Sequence, residues 1–385
     1  MMTKKRLTAL LLAGVLALTP LTGCQTEGTV SSGHSSSVVE VDLDAITDIC
    51  QFTAGMDANT VVATVDGVDI TANELLYWVA LCCDDILEYY SLTEVPWDME
   101  SDGRKLGEYI LEDALQGAVT YHIVEKKAQE EGLSVSQDEM DTILQTLKSI
   151  TADQEKLGLT TRTYLWQFML TSDLYVWYCQ CEYLSQALAD KRYGVTTSGY
   201  PTDNEILAYL EDELGLYSTK HILLATKDLT TYQDLAADEI AKKKAKAEDI
   251  LKQLRDSDDP VALFDTLMKQ NSEDPGLVSS PDGYLGVMPG AFDSAYEQAA
   301  VKLEEGQISD VVQGDSGFHI ILRLPLGLDP ADYRESFIDQ KMLEERDGWL
   351  EAADIQVKDA YKTVKPEVFY DMLKAYRSAV EKITE

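Results

Sequence analysis

The sequence predicts an α+β protein in which a mostly helical domain is combined with a second, mixed domain. Over residues 216–325, strand-like and helix-like hydrophobic periods follow one another in the order β-α-α-β-α-β-β. Helical patterns dominate residues 60–195, and two more follow at 331–353 and 366–383. The mixed segment therefore lies between two helical parts of the chain.

The N-terminus has the pattern of a secretory signal. Three basic residues at positions 4–6 precede an apolar run that ends in LTGC at Cys24, and this arrangement predicts a signal peptide over residues 1–23. LTGC resembles a lipoprotein lipobox, which implies cleavage before Cys24 and lipidation of its thiol. The alternative is a plain signal peptide with a chance cysteine. Residues 24–58, which open with a stretch rich in Ser and Gly, are predicted to be a flexible tether.

The charge of the chain is strongly acidic. Without the signal peptide, 29 of the 32 basic groups remain against all 68 acidic groups, a net charge of −39. This balance excludes general nucleic-acid binding and argues against an anionic lipid surface as partner. We therefore expect contact with a membrane only through the lipid on Cys24.

Residues 59–215 are predicted to form the helical domain. VVATVDGVDI (61–70) alternates around Asp66-Gly67, a hairpin signal. A long apolar pattern over 163–188 predicts a further helix. Sequences typical of capping boxes open three helices at Thr71–Glu74, Ser136–Glu139 and Thr202–Glu205.

Two sets of side chains in the helical domain leave alternatives open. Its aromatic residues either line a peptide groove or form the core, and burial is the commoner outcome: Trp78, Tyr164, Trp166, Phe168, Trp177 and Tyr178. Its cysteines lack the spacing of a redox or zinc motif, so we favour small buried residues: Cys50, Cys82, Cys83, Cys179 and Cys181.

Short sequence motifs spread over residues 216–326 resemble those of the parvulin family of peptidyl-prolyl isomerases. They are KHILLA (220–225), NSEDPG (271–276), GYLG (283–286), EQAAVKLEEGQISDVV (297–312) and SGFHIIL (316–322). The resemblance implies a four-stranded antiparallel sheet with its first and last strands side by side. His221 and His319 would then face each other as a buried pair, whereas a single core histidine satisfied by the backbone is the ordinary alternative.

The resemblance also implies a site. It assigns catalytic roles to His221, Asp274, Ser316 and His319, and a proline pocket to Leu285, Met288, Phe292 and Tyr296. An apolar pocket favours the twisted imide over the planar one, so no nucleophile, cofactor or metal is expected.

Two features depart from the family pattern, and a third limits the substrate. The pocket loop VMPGAF (287–292) is one residue shorter, and Tyr284 stands where an Asp is common. The loop 226–234 lacks the cation cluster that a phosphate-dependent parvulin needs. Ordinary X–Pro bonds are therefore the expected substrate.

The wider layout resembles PrsA-type foldase lipoproteins and SurA-type chaperones. Residues 216–326 would be the isomerase domain, and helices in 327–385 would pack back on the N-terminal domain. The resemblance implies a foldase with chaperone activity, lipid-anchored to the outer face of the bacterial cell membrane, that acts on unfolded or folding secreted proteins. The alternative is a holdase with a weakly active parvulin domain. A solute-binding lipoprotein would need two α/β lobes, which these helical patterns do not supply.

Overall fold

The computed structural model describes residues 41–384, which form two compact units. The first unit comprises residues 41–199 and 340–384, and the second comprises residues 200–339. The predicted signal peptide, Cys24 and the Ser- and Gly-rich stretch up to residue 40 lie outside the described residues.

The N-terminal part of the first unit contains a short hairpin and six helices. The hairpin turns at Asp66-Gly67, as predicted, with both φ angles positive. The elements of this N-terminal part are α1 (Ile49–Ala54), β1 (Val61–Val65), β2 (Val68–Thr71), α2 (Ala72–Tyr89), β3 (Glu100–Ser101), β4 (Arg104–Lys105), α3 (Leu106–Glu130), α4 (Gln137–Glu155), α5 (Thr161–Trp166) and α6 (Ser172–Tyr193).

The second unit has the predicted order of strands and helices, preceded by one short helix. The three predicted capping boxes are present, at the starts of α2, α4 and the short helix α7. The elements of the second unit are α7 (Asp203–Ala208), β5 (Tyr217–Ala225), α8 (Ala237–Asp256), α9 (Pro260–Asn271), β6 (Tyr284–Val287), α10 (Ser294–Ala300), β7 (Val312–Gln313) and β8 (Gly317–Leu324).

The last elements are α11 (Arg334–Ala352), β9 (Ile355–Val357) and α12 (Pro366–Thr384). β9 extends the hairpin to a three-stranded sheet in the order β2-β1-β9. α12 belongs to the same hydrophobic core as α2 and α3. Arg377 of α12 forms a bidentate ion pair with Asp84 of α2, at 2.7 and 2.8 Å. No helix within residues 41–384 has the length and apolar content needed to cross a membrane.

Burial in the first unit decides between the alternatives that its sequence left open. The aromatic residues form the core, the alternative that burial favoured: Trp78, Tyr164, Trp166 and Tyr178 are buried, and Phe168 and Trp177 pack against the same core. The cysteines at 50, 82, 83, 179 and 181 are free and buried, as predicted.

Three boundaries differ from those predicted. The tether does not extend to residue 58, because Asp48 caps α1 and Cys50 is fully buried. The apolar pattern over 163–188 is divided between α5 and α6, since Met169 has a positive φ and Thr171 caps a new helix. The second unit is longer than 216–326, because residues before and after that range share an apolar cluster: Ile206, Leu210, Leu216, Leu326 and Phe337.

The second unit is built on a four-stranded antiparallel sheet in the order β6-β5-β8-β7, which confirms the predicted fold. α8 and α9 cover one face of the sheet. The core between them includes Ile222, Leu224, Phe318, Ile320 and Leu322 from the two central strands. The opposite face carries the polar and aromatic side chains of the strands.

The close approach of α2 and α3 generates a prediction. A Cβ on Gly117 would lie 2.6 Å from Trp78 Cδ2. Although Ala favours helices by about 1 kcal/mol over Gly, we expect Gly117→Ala to lower the free energy of unfolding by about 1–3 kcal/mol, measured by urea denaturation. Gly348→Ala is the control, because Gly348 lies in α11 with open space around it. An unchanged or higher stability for Gly117→Ala would show that α2 and α3 can move apart enough to accommodate the added methyl group.

Candidate active site

Strand alternation places a polar row on the open face of the sheet. Along β5, Tyr217, Thr219, His221 and Leu223 share one face, whereas Ile222 and Leu224 face α8 and α9. On β8, His319 lies on the same face as the histidine of β5, because His319 pairs with Leu223. Both histidines are therefore directed away from the helix-covered core.

The two histidines are diagonal neighbours and do not pair directly. His221 is opposite Ile321, two residues along β8 from His319. Their rings nevertheless meet edge to face, with centroids 5.2 Å apart, because aromatic side chains reach diagonal positions. Both residues are buried. The predicted buried pair thus exists, with a register that differs by two residues from face-to-face pairing.

A chain of polar contacts runs through His221. Its Nε2 lies 3.1 Å from Asp274 Oδ2, and its Nδ1 lies 3.0 Å from the hydroxyl of Tyr296. That hydroxyl is also 2.9 Å from Thr219 Oγ1. The edge of the His221 ring that carries Nε2 thus faces a carboxylate, and the edge that carries Nδ1 faces a phenol. Thr219 and Tyr296 share a hydrogen bond in which either hydroxyl can donate.

Asp274 is held by several donors. Tyr284 Oη donates to its Oδ2 at 2.6 Å, and the Gly276 amide donates to its Oδ1 at 3.0 Å. Burial alone would raise the pKa of Asp274, but the contacts with His221, Tyr284 and Gly276 lower it to about 2. The site therefore contains a fixed carboxylate that stays ionised.

His319 has a different environment. Its ring packs against those of His221 and Tyr296, at 5.2 Å from each. Neither ring nitrogen has a hydrogen-bond partner among the described residues. Burial and the neighbouring His221 lower the pKa of His319 to about 4. The ring is therefore neutral at ordinary pH and contributes an uncharged surface.

The aromatic rings form a layered wall. Phe292 stacks on Tyr296 at 4.5 Å, and Tyr284 meets Phe292 edge to face at 5.3 Å. Tyr296 is fully buried, whereas Phe292 and Tyr284 are partly exposed. Phe292 and Tyr284 are thus the rings that a substrate can reach, and Tyr296 with the histidines lies beneath them.

The loop before α10 is fastened by Glu297. One of its carboxylate oxygens accepts from the amides of Gly290 and Phe292, at 2.8 and 3.2 Å, and from the Tyr217 hydroxyl at 3.2 Å. Asp293 caps α10 by accepting from the amides of Ala295 and Tyr296. These bonds fix the backbone on both sides of Phe292.

Three residues implied by the family resemblance lie apart from this cluster. Leu285 is half exposed. Neighbouring residues of a strand face opposite sides of the sheet, so its side chain lies on the other side from Tyr284, against Gly327. Met288 is 65% exposed. Ser316 lies in the turn before β8, where its carbonyl accepts from the Thr226 amide.

Three residues of the site were missed. Thr219 precedes His221 by two residues, so strand alternation alone could have placed it beside the histidine. Tyr284 was noted only as a departure from the family pattern, and Glu297 had no signal beyond its place in a matching segment. The long-range bonds of Tyr284 and Glu297 depend on how β6 and α10 fold onto β5.

The arrangement suits rotation about an imide bond. The barrier of about 18–20 kcal/mol comes from resonance, which is lost in the twisted state together with charge separation. A pocket with exposed rings and a neutral histidine beneath favours the less polar twisted form. The cis and trans isomers of an X–Pro bond differ in free energy by only about 0.5–1 kcal/mol, so a catalyst needs only to lower the barrier between them.

Comparison with known proteins identifies a family for part of the chain. Residues 221–324 match the model of the family described as "Rotamase: PPIC-type PPIASE domain". The Staphylococcus aureus (strain bovine RF122 / ET3-1) protein named "Foldase protein PrsA" is 30% identical over 169 residues, which are 40% of this chain and 51% of the relative. The chain thus spans about half the length of the curated relatives that it matches.

Two crystal structures also align with the chain, each at 20% identity or less. A crystal structure of a peptidylprolyl isomerase (PrsA) from Bacillus cereus aligns with a TM-score of 0.33 and 18% identity, covering 83% of this chain and 99% of that chain. One of PrsA from Bacillus subtilis aligns with a TM-score of 0.23 and 20% identity, covering 85% of this chain and 92% of that chain.

The depressed pKa of His319 predicts a dependence of stability on pH. The unfolded chain, with a histidine pKa of 6.5, binds more protons than the folded chain down to about pH 4. The free energy of unfolding therefore falls as the pH falls through this window, by on the order of 3 kcal/mol from this group. His319→Phe keeps a ring and removes the titration.

Urea denaturation of both proteins at pH 7 and pH 4.5 measures the effect. We expect wild type to lose more stability than His319→Phe over this interval, since the other groups that titrate are common to both. Equal losses would show that His319 is protonated as readily in the folded state as in the unfolded chain.

Proposed function

We propose that this chain, in which residues 221–324 form a PPIC-type peptidyl-prolyl isomerase domain, catalyses cis/trans isomerisation of X–Pro bonds in unfolded secreted polypeptides. The observation that carries the proposal is the pair of partly exposed rings, Phe292 and Tyr284, above a buried floor of Tyr296 and two histidines. The match to the family covers the same residues.

Each part of the site has a proposed role. Phe292 contacts the prolyl ring, and the rings beneath it exclude water from the imide. Asp274 lies against Nε2 of His221 and orients its ring, which keeps the floor of the pocket fixed. Bonds that are already formed in the free protein need no rearrangement when the twisted state forms. No covalent step is required.

The remaining predicted pocket residues have weaker support. Met288 belongs to the fastened loop and is exposed enough to contact a substrate. Leu285 is on the other side of β6 from the rings, and Ser316 forms no hydrogen bond with either ring nitrogen of His319. We assign the proline pocket to Phe292, with Met288 beside it, and no direct role to Leu285.

We also propose that the protein is lipid-anchored through Cys24 on the outer face of the cell membrane. The basic segment, apolar run and LTGC support this proposal. Two or more acyl chains hold a protein stably on a membrane, where one does not. The net charge of −39 that remains from 29 basic and 68 acidic groups would keep the rest of the chain away from an anionic surface.

Phe292→Ala tests the isomerase proposal. Removing the ring deletes part of the surface that favours the twisted imide, and each 1.36 kcal/mol lost lowers the rate tenfold. We expect kcat/KM for a proline tetrapeptide to fall about ten- to a hundredfold, or roughly 1.4–2.7 kcal/mol. The assay follows cis-to-trans conversion with the full chain.

Val278→Ala is a matched control, because Val278 is 92% exposed in the same unit. A folded Phe292→Ala protein with an unchanged rate would contradict the assignment of the pocket. Wild type without isomerase activity would instead favour the holdase alternative, in which the domain only binds polypeptide.

Cys24→Ala tests the anchor. Without the thiol, we expect no acylation and either uncleaved precursor or released protein, since the lipid is attached at this residue. Metabolic labelling with a radioactive fatty acid measures the modification in cells, and Cys50→Ala serves as the control cysteine. Full labelling of the Cys24→Ala protein would refute a lipobox at this position.

A further inference from the structure

We propose that Tyr284 determines which residues are accepted before the proline. Its ring forms the wall against which the side chain of that preceding residue, X, packs, so the site selects apolar and aromatic residues at X. This inference rests on the proposed isomerase function and deepens it by naming the class of substrate.

Geometry places Tyr284 where X must lie. Phe292 and Tyr284 are the partly exposed rings of the cluster, and they meet at 78° with centroids 5.3 Å apart. They therefore form a corner with two walls. If the prolyl ring packs on Phe292, the Cα of X is 3.8 Å from the proline Cα in the trans isomer and about 2.9 Å in cis. Both distances bring the side chain of X within reach of the second wall.

The Tyr284 ring is held in place before any substrate binds. Its hydroxyl donates to Asp274 at 2.6 Å, and its backbone pairs with Thr219 of β5. Gly276 lies directly beneath the hydroxyl, where any Cβ would overlap the phenol oxygen. A wall that is already ordered loses little conformational freedom on binding, so apolar contact with X is converted efficiently into affinity.

Charge near this wall adds a selection against acidic residues. The Asp274 carboxylate accepts from the Tyr284 hydroxyl and the Gly276 amide, and therefore lies at the hydroxyl end of the Tyr284 ring. Within the described residues, no ion pair joins Asp274 to Lys or Arg. Lys243 pairs instead with Glu273, the residue that precedes Asp274 in the sequence. An acidic or phosphorylated X would meet a fixed negative charge without a compensating cation.

The experiment compares proline tetrapeptides that differ only at X, with Ala, Leu, Phe or Glu. The kcat/KM of the full chain is measured for wild type, Tyr284→Phe and Tyr284→Ala. We expect wild type to prefer Leu and Phe over Ala by about tenfold, as for one apolar pocket contact, and to disfavour Glu. Tyr284→Ala should abolish the preference for Leu and Phe, whereas Tyr284→Phe, which keeps the ring, should retain it.

Tyr89→Ala is the control, since Tyr89 is a 65% exposed tyrosine of the first unit. It should leave the order of the four peptides unchanged. A folded Tyr284→Ala protein with the wild-type preference would overturn the proposal. If Tyr284→Ala does not fold, Tyr284→Val replaces it, because a β-branched residue suits the edge strand.

Binding separates this inference from the proposed function. Fluorescence anisotropy with labelled versions of the same peptides gives a Kd that does not depend on turnover. If wild type binds the Leu and Phe peptides more tightly than the Ala peptide but isomerises none, the proposed function fails and the role of Tyr284 stands. If wild type isomerises all four at equal rates, the role of Tyr284 fails and the proposed function stands.

Discussion

The register of the β5–β8 pairing is the constraint on which the second unit depends. Leu223 is opposite His319, and this alignment puts His221, Thr219 and His319 on one face of the sheet. A slip of one residue on β8 would turn His319 into the apolar layer beneath α8 and α9 and would turn Phe318 out of it. The apolar residues of the covered face therefore hold the functional residues in position on the open face.

A second dependence follows from the first. Once His221 is placed, its two nitrogens connect an outer carboxylate, Asp274, to an inner phenol, Tyr296. Each of these groups is itself bonded to a further residue, Tyr284 on the outside and Thr219 on the inside. These five side chains form one continuous series of contacts, so the floor of the site is stiff although it contains four hydrogen-bonding side chains and a charge.

Much of this architecture was predictable from local sequence. Hydrophobic period and turn residues are local properties, and they predicted the order of strands and helices over residues 216–325 and the hairpin at Asp66-Gly67. The histidine pair was predictable because its two residues lie in strands whose pairing the family resemblance implies.

The errors have physical causes that are not local. Which face of β6 looks toward the site depends on its pairing with β5, so the sequence alone did not show that Tyr284 belongs to the ring cluster. The end of the tether was misplaced because Ile49 and Cys50 are buried by the distant helix α12, which a short window of sequence does not reveal. α3, whose 25 residues contain His122, was not recognised at all.

The Asp84–Arg377 ion pair has a consequence for the order of folding. It joins residues on α2 and α12, so the core of the first unit is incomplete until the last helix of the chain is available. The second unit is one continuous segment, residues 200–339, and precedes α12 in the chain. During synthesis, which starts at the N-terminus, the second unit is therefore complete before the first unit is. In the meantime, the apolar surfaces of α2 and α3 remain uncovered. During that interval the protein is itself an unfolded client of the kind that it is proposed to assist.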